Sequence, residues 1–214
     1  MTYSVKEIYY TLQGEGAHTG RPAVFLRFAG CNLWSGREDH RDQAVCRFCD
    51  TEFVGVDGPG GGKFESAEDL AAAVAECWGP KRSDVHPYVV CTGGEPLLQL
   101  NDPAIGALRD AGFEIGVESN GTIEAPDGID WLCISPKGSA GLVQLSGNEL
   151  KLVYPQLERN AQPGEFEHLS FEHFFLQPMD SPDRDDNTRR AVAYCMQNPR
   201  WKLSVQTHKY LGLD

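Results

Sequence analysis

Three cysteines carry the sharpest chemical signal in this chain. Cys46 and Cys49 form a C-x2-C pair, and Cys31 lies upstream across the polar stretch Asn32 to Val45. A C-x2-C pair presents two thiolates from one turn and can clamp a soft metal centre. A third thiolate fills three corners of a four-cornered centre and leaves the last corner open for chemistry. The spacing alone fits two kinds of site. One is a four-iron cluster on Cys31, Cys46 and Cys49, with one iron free for a small molecule. The other is a structural zinc completed by His40 inside the insert.

A second motif favours the cluster. Thr92-Gly93-Gly94-Glu95-Pro96 follows the apolar run Tyr88 to Cys91. Paired glycines let the backbone approach a ligand closely. Their carbonyl oxygens and the Glu95 carboxylate can receive an ammonium group.

The elements that must position these residues alternate along the chain. Short runs rich in apolar and β-forming residues predict strands at Ala23 to Phe28, Tyr88 to Thr92, Glu114 to Glu118, Trp131 to Ser135, Leu150 to Tyr154, Phe174 to Gln177 and Leu203 to Gln206. Helices are expected at Ser66 to Trp78, capped by Ser66, at Asp102 to Ala111, capped by Asp102 with Pro103 first in the helix, and at Asn187 to Gln197. Strands alternating with helices imply crossovers and a mainly parallel α/β sheet. Polar clusters follow successive strands: Thr92 to Pro96, Glu118 to Gly121, Ser135 to Lys137, Gln177 to Asp180 and Gln206 to Lys209. The carboxyl ends of parallel strands form the active-site face, so these clusters are expected to meet. Gly58 to Gly62 reads as a flexible surface loop.

Composition bounds the function. A net charge of -12 argues against nucleic acid or an anionic membrane as the main partner. The N-terminus lacks a signal pattern, and no apolar run approaches the roughly 20 residues that span a bilayer. The expectation is a cytoplasmic protein of one domain, residues 1–214, with an insert at about 32–45. Cysteines in such a chain serve as ligands or core residues rather than disulfides. Cys77, Cys91, Cys133 and Cys195 sit in apolar surroundings and read as core filling.

Three cysteines followed one strand later by T-G-G-E-P resemble the radical S-adenosylmethionine (SAM) enzymes. Phe48 matches the aromatic residue that this superfamily places before its last cysteine. The first gap departs from the pattern, with fourteen residues where three are usual. A narrower family accepts that departure. The chain is similar to the 7-carboxy-7-deazaguanine synthases of queuosine biosynthesis. The likeness covers nearly the whole chain, through Thr11 to Gly16, Val24 to Trp34, Cys49-Asp50-Thr51, T-G-G-E-P at Thr92, Glu118 to Thr122, Ser135 to Lys137, Gln177 to Asp180 and Gln206 to Lys209.

The resemblance implies a partial TIM-like barrel and a ring contraction. The substrate would be 6-carboxy-5,6,7,8-tetrahydropterin and the product 7-carboxy-7-deazaguanine, with ammonia lost. The reduced [4Fe-4S] cluster would cleave SAM to a 5′-deoxyadenosyl radical that takes hydrogen from C6 of the pterin. Cys31, Cys46 and Cys49 would hold the cluster, and Thr51 would contact a magnesium ion. Phe48, Asp50, Gly94, Glu95, Glu118, Ser135, Pro136, Lys137, Gln177, Pro178, Met179 and Asp180 would surround SAM. Leu12, Gln13, Gly14, Glu15, Arg27, Thr92 and His208 would face the pterin. An arginine inside the apolar strand Ala23 to Phe28 would be explained by a substrate carboxylate, or by an internal salt bridge. Family habit adds a homodimer, a donor such as flavodoxin, and in some members a C-terminal carboxylate near the substrate, here Asp214. Two rivals remain: a radical SAM activase working on a partner protein, and a non-enzymatic zinc module using His40.

Overall fold

The computed structural model describes residues 1–80 and 85–213, so Asp214 lies outside the described residues. Among the described residues nine strands form one sheet: β1 (Tyr3–Leu12), β2 (Pro22–Phe28), β3 (Gly62–Phe64), β4 (Tyr88–Gly93), β5 (Glu114–Ser119), β6 (Trp131–Ile134), β7 (Ser146–Tyr154), β8 (Ser170–Pro178) and β9 (Trp201–Leu203). Their spatial order is β3-β1-β2-β4-β5-β6-β7-β8-β9. From β2 to β9 every pairing is parallel, whereas β1 runs antiparallel to both β2 and β3. β3 and β9 end the order without pairing to each other, so the sheet is an open, partial barrel.

Three longer helices cover one face: α1 (Ala67–Trp78), α2 (Asp102–Asp110) and α3 (Arg184–Gln197). A short α4 (Thr207–Leu211) ends the described chain. The apolar core lies between the helices and one side of the strands. Val24, Leu26 and Phe28 of β2, Val89 and Cys91 of β4, and Leu150 and Leu152 of β7 point into it, beside Leu70, Val74 and Leu108 of the helices. Alternation along each strand sends the other set to the opposite face. That set includes Phe25, Arg27, Thr92, Glu118, Lys151, Val153 and Gln177, which line a cavity.

Several expectations change. β1 is absent from the sequence reading because the register shifts between Val5 and Glu7, which breaks the alternation that marks a strand. β9 ends at Leu203 rather than running through Gln206, because the chain turns into α4 there. The cap of α2 is Asn101, whose side chain accepts from the Ala104 N–H, and Asp102 is the first helical residue, with Pro103 second. α3 begins earlier, at Arg184. Gly58 to Gly62 is no free loop. Pro59 O accepts from Ile8 N, Gly62 belongs to β3, and a Cβ on Gly61 would lie 2.2 Å from the Lys6 carbonyl oxygen. Between β5 and β8 no α-helix intervenes among the described residues, so α/β alternation holds only for part of the sheet.

Candidate active site

The carboxyl ends of β2, β4, β5, β6, β7 and β8 and the start of α4 surround one cavity of about 390 Å³. Of the residues expected at the site, Leu12, Gln13, Gly14, Glu15, Arg27, Phe48, Cys49, Asp50, Thr51, Thr92, Gly94, Glu118, Ser135, Lys137, Gln177, Pro178, Asp180 and His208 line it. These positions span most of the chain; parallel pairing brings the carboxyl ends of β2 and β4 to β8 together, and the antiparallel β1 brings Leu12 to Glu15 to the cavity from the opposite end.

The cavity floor is charged. Lys151 of β7 is buried, with its Nζ 2.6 Å from Glu15 Oε2 and 3.1 Å from Glu118 Oε1. Glu118 Oε1 also accepts from Gln13 Nε2 at 3.1 Å. Burial pushes the Glu15 carboxyl up, but the Lys151 ammonium and a hydrogen bond from Gln206 outweigh it and hold it down at about 2. Lys151 is likewise kept charged against burial by Glu118 and Glu15. Two fixed carboxylates at a cavity floor suit a ligand edge rich in N–H donors.

Arg27 makes the internal salt bridge, and this does not exclude a ligand. Its Nε lies 2.7 Å from Glu7 Oε1 and its Nη2 donates to the Tyr9 hydroxyl at 2.9 Å. It still lines the cavity from this anchored position. His208 packs against Gly14 so closely that a Cβ there would lie 2.1 Å from its Nδ1. Gly14 O accepts from both the Thr207 N–H and hydroxyl, which docks α4 on the turn after β1. Lys209 ties the cluster loop to the end of β8 through Asp50 and Asp180.

The three cysteines are neighbours. The Cys46 thiol donates to Cys49, and that bond lowers the Cys49 pKa to about 6. Burial raises Cys31, which also feels Cys49. Cys49 lines the cavity; the Cys31 and Cys46 side chains stand outside its lining. Among the described residues no three His, Cys, Asp or Glu side chains form a single-ion trio. His40 is engaged elsewhere, with Nδ1 3.1 Å from Ser35 Oγ. A three-thiol set beside an open cavity fits a cluster with one exposed corner. Gly94 completes the fit, because a Cβ there would lie 2.2 Å from Gly30 O and 2.7 Å from Cys31 Cβ. Only glycine lets the T-G-G-E-P turn pack against the first cysteine.

Three expected SAM residues do not line the cavity. Glu95 is fully buried and turned into the fold. Its carboxylate accepts from Ser119 Oγ, Asn120 N and Leu97 N at 2.9, 2.8 and 3.0 Å. Those donors, not an open face, surround the acid. Pro136 and Met179 contribute backbone: Pro136 O accepts from Gln156 Nε2, and Met179 bonds Tyr154 O and Asn187 Nδ2. Sequence reasoning missed Lys151 and Tyr9; it placed Gln206 and Lys209 in a strand-end cluster expected at this face but gave them no individual role. For Lys151 the signal was present, since a lysine inside the apolar run Leu150 to Val153 poses the same question as Arg27.

An open, mainly parallel sheet with three thiols in the loop after β2, one of them lining the cavity beside a glycine turn, defines the radical SAM class. No family model matches the chain. It is 65% identical over 213 residues to a 7-carboxy-7-deazaguanine synthase of Caulobacter vibrioides, with both chains fully covered. Similar relatives with that name occur in Burkholderia multivorans, at 58%, and Bacteroides thetaiotaomicron, at 37%, again over the full length of both chains. The crystal structure of QueE from Escherichia coli superposes with a TM-score of 0.72 at 28% identity, covering 96% of this chain and 94% of that one. The chain belongs to the 7-carboxy-7-deazaguanine synthase family. That membership sets aside the partner-protein activase and the zinc module.

Proposed function

We propose that the chain converts 6-carboxy-5,6,7,8-tetrahydropterin to 7-carboxy-7-deazaguanine with loss of ammonia. The observation that carries this is the end-to-end match to relatives named for that product, at up to 65% identity among those compared. Cys31, Cys46 and Cys49 would hold the [4Fe-4S] cluster. When bound, the cluster supplies the electron that cleaves SAM reductively.

The chain's own residues bind and orient. Glu15, kept anionic by Lys151, accepts from the pterin's guanidine-like N–H groups; Glu118, expected beside SAM, shares the same ammonium and a hydrogen bond from Gln13, and so joins Glu15 on the pterin side. Arg27, braced by Glu7 and Tyr9, offers a positive charge to the substrate carboxylate. Thr92 and His208 close the same side. Phe48, Asp50, Gly94, Ser135, Lys137, Gln177, Pro178 and Asp180 form the SAM side, with Glu95, Pro136 and Met179 supporting it from behind. Lys137 donates to the Ser135 carbonyl and hydroxyl, which stiffens that strand end.

Thr51 would contact a magnesium ion, whose preference for oxygen suits a hydroxyl plus substrate oxygens and water. A flavodoxin-type donor, a homodimer, a cytoplasmic location and a single domain complete the proposal. Among the described residues no helix is long and apolar enough to cross a membrane. The test is turnover of the carboxytetrahydropterin by anaerobically reconstituted protein with SAM and a reductant. Failure to form the ring-contracted product would overturn the assignment.

A further inference from the structure

The insert between Cys31 and Cys46 is closed at its base. Leu33 O accepts from both Val45 N and Cys46 N, at 3.2 and 3.4 Å. The chain thus leaves at Leu33 and returns beside it, so the long gap places Cys46 near Cys31 much as a short gap would. Residues Glu38–Gln43 form a 3-10 helix inside the loop. Trp34 packs edge-on against Phe53 at 5.6 Å, beyond the C-x2-C turn.

One residue of the insert reaches back to that turn. Arg41 Nη1 donates to the carbonyl oxygens of Arg47 and Cys49, at 2.9 and 3.1 Å. Its Nε and Nη2 donate to the Glu38 carboxylate, at 2.7 and 2.6 Å. Its guanidinium lies over the Trp34 ring, 4.0 Å from the centroid. A planar fork held on three sides has little freedom left, which suits arginine and not lysine. The peptide group is planar, so fixing those two carbonyls also fixes the directions of the Phe48 and Asp50 N–H groups.

We propose that Arg41 is a positioning residue for the cluster. It uses the insert as a brace that fixes the Cys46–Cys49 turn in its ligating shape. This rests on reading Cys31, Cys46 and Cys49 as the cluster ligands. It also supplies a purpose for the insert: the extra residues carry a side-chain clamp that a three-residue gap has no room for.

The test compares wild type, Arg41→Met, Arg41→Lys and Arg37→Met after anaerobic reconstitution. Arg37 is a suitable control, because its guanidinium bonds the Asp39 carboxylate in the same loop. Iron and sulfide content are measured, then the rate of iron loss to a chelator, and separately the unfolding temperature of the iron-free chain. Loss of an outer-sphere partner typically weakens a metal site about tenfold or more. Arg41→Met should therefore release iron about tenfold faster than wild type, with Arg41→Lys between them and Arg37→Met unchanged. The unfolding temperature of the iron-free Arg41→Met chain should stay within about 2 °C of wild type. Iron release from Arg41→Met at the wild-type rate would overturn the proposal, as would equal acceleration in Arg37→Met. A wild-type chain that takes up no iron would instead sink the cluster assignment itself.

Discussion

Replacing Lys151 with methionine tests the charged floor of the cavity most directly. The substitution keeps length and removes one ammonium lying 2.6 Å from Glu15 and 3.1 Å from Glu118. Glu15 is held at about 2 against an ordinary 4.5. That depression corresponds to roughly 3 kcal/mol of stability at neutral pH. Without Lys151, burial of Glu15 is opposed chiefly by the Gln206 hydrogen bond, so most but not all of that stabilisation is lost. Breaking a buried ion pair from one side costs about 3–5 kcal/mol by general experience, in line with that figure. For a chain of this size, about 3 kcal/mol lowers the unfolding temperature by roughly 6–12 °C. Calorimetry on the iron-free chain at pH 7 measures it. The sign of the pH dependence follows from the low Glu15 value. Its contribution is complete above about pH 4.5 and fades as pH falls towards 2. Glu15→Gln should therefore be most costly at pH 7 and progressively less so below pH 4.5. Combining Glu15→Gln with Lys151→Met should cost less than the separate effects added together. A Lys151→Met chain melting within 2 °C of wild type, or strictly additive single effects, would refute the ion-pair account.

Three further outcomes are expected. Glu95→Gln places an amide among three donors, so it should destabilise the chain by about 2 kcal/mol, read as a lower unfolding temperature before SAM is added; an unchanged temperature with weakened SAM binding would give Glu95 back its expected contact role. Gly94→Ala forces a methyl within 2.2 Å of the Gly30 carbonyl oxygen and should abolish iron uptake, measured by iron analysis, whereas full iron content would show that the close approach is dispensable. Thr51→Ala should lose magnesium stimulation of turnover in a metal titration, and an unchanged response would remove Thr51 from the magnesium site.

Much of the fold was legible because parallel strands buried on both faces read as apolar runs, as in Tyr88 to Cys91. β1 was not, since its bulge at Val5 and Glu7 breaks the two-residue period. β3 is too short, at three residues, to register as a pattern. At the site, most named residues were found from local motif and resemblance. Glu95 shows the limit of that method. A carboxylate in T-G-G-E-P reads as a ligand group, yet the neighbouring strand supplies the Ser119 and Asn120 donors that turn it inward.

The cysteine triplet, the glycine turn and the polar residues at strand ends are properties of the sequence itself. Each depends on residue type and short spacing, and together they indicate the class of chemistry. Tertiary structure alone decided which charges meet. Lys151 finds Glu118 across strands that are not neighbours in the sheet, and Glu15 from the far end of the chain, because the open barrel curls those positions onto one floor. The gap between Cys31 and Cys46 belongs to the same category. Its length is visible in the sequence, but its closure at Leu33 and the reach of Arg41 back to the C-x2-C turn depend on backbone hydrogen bonds and ring stacking that no spacing encodes.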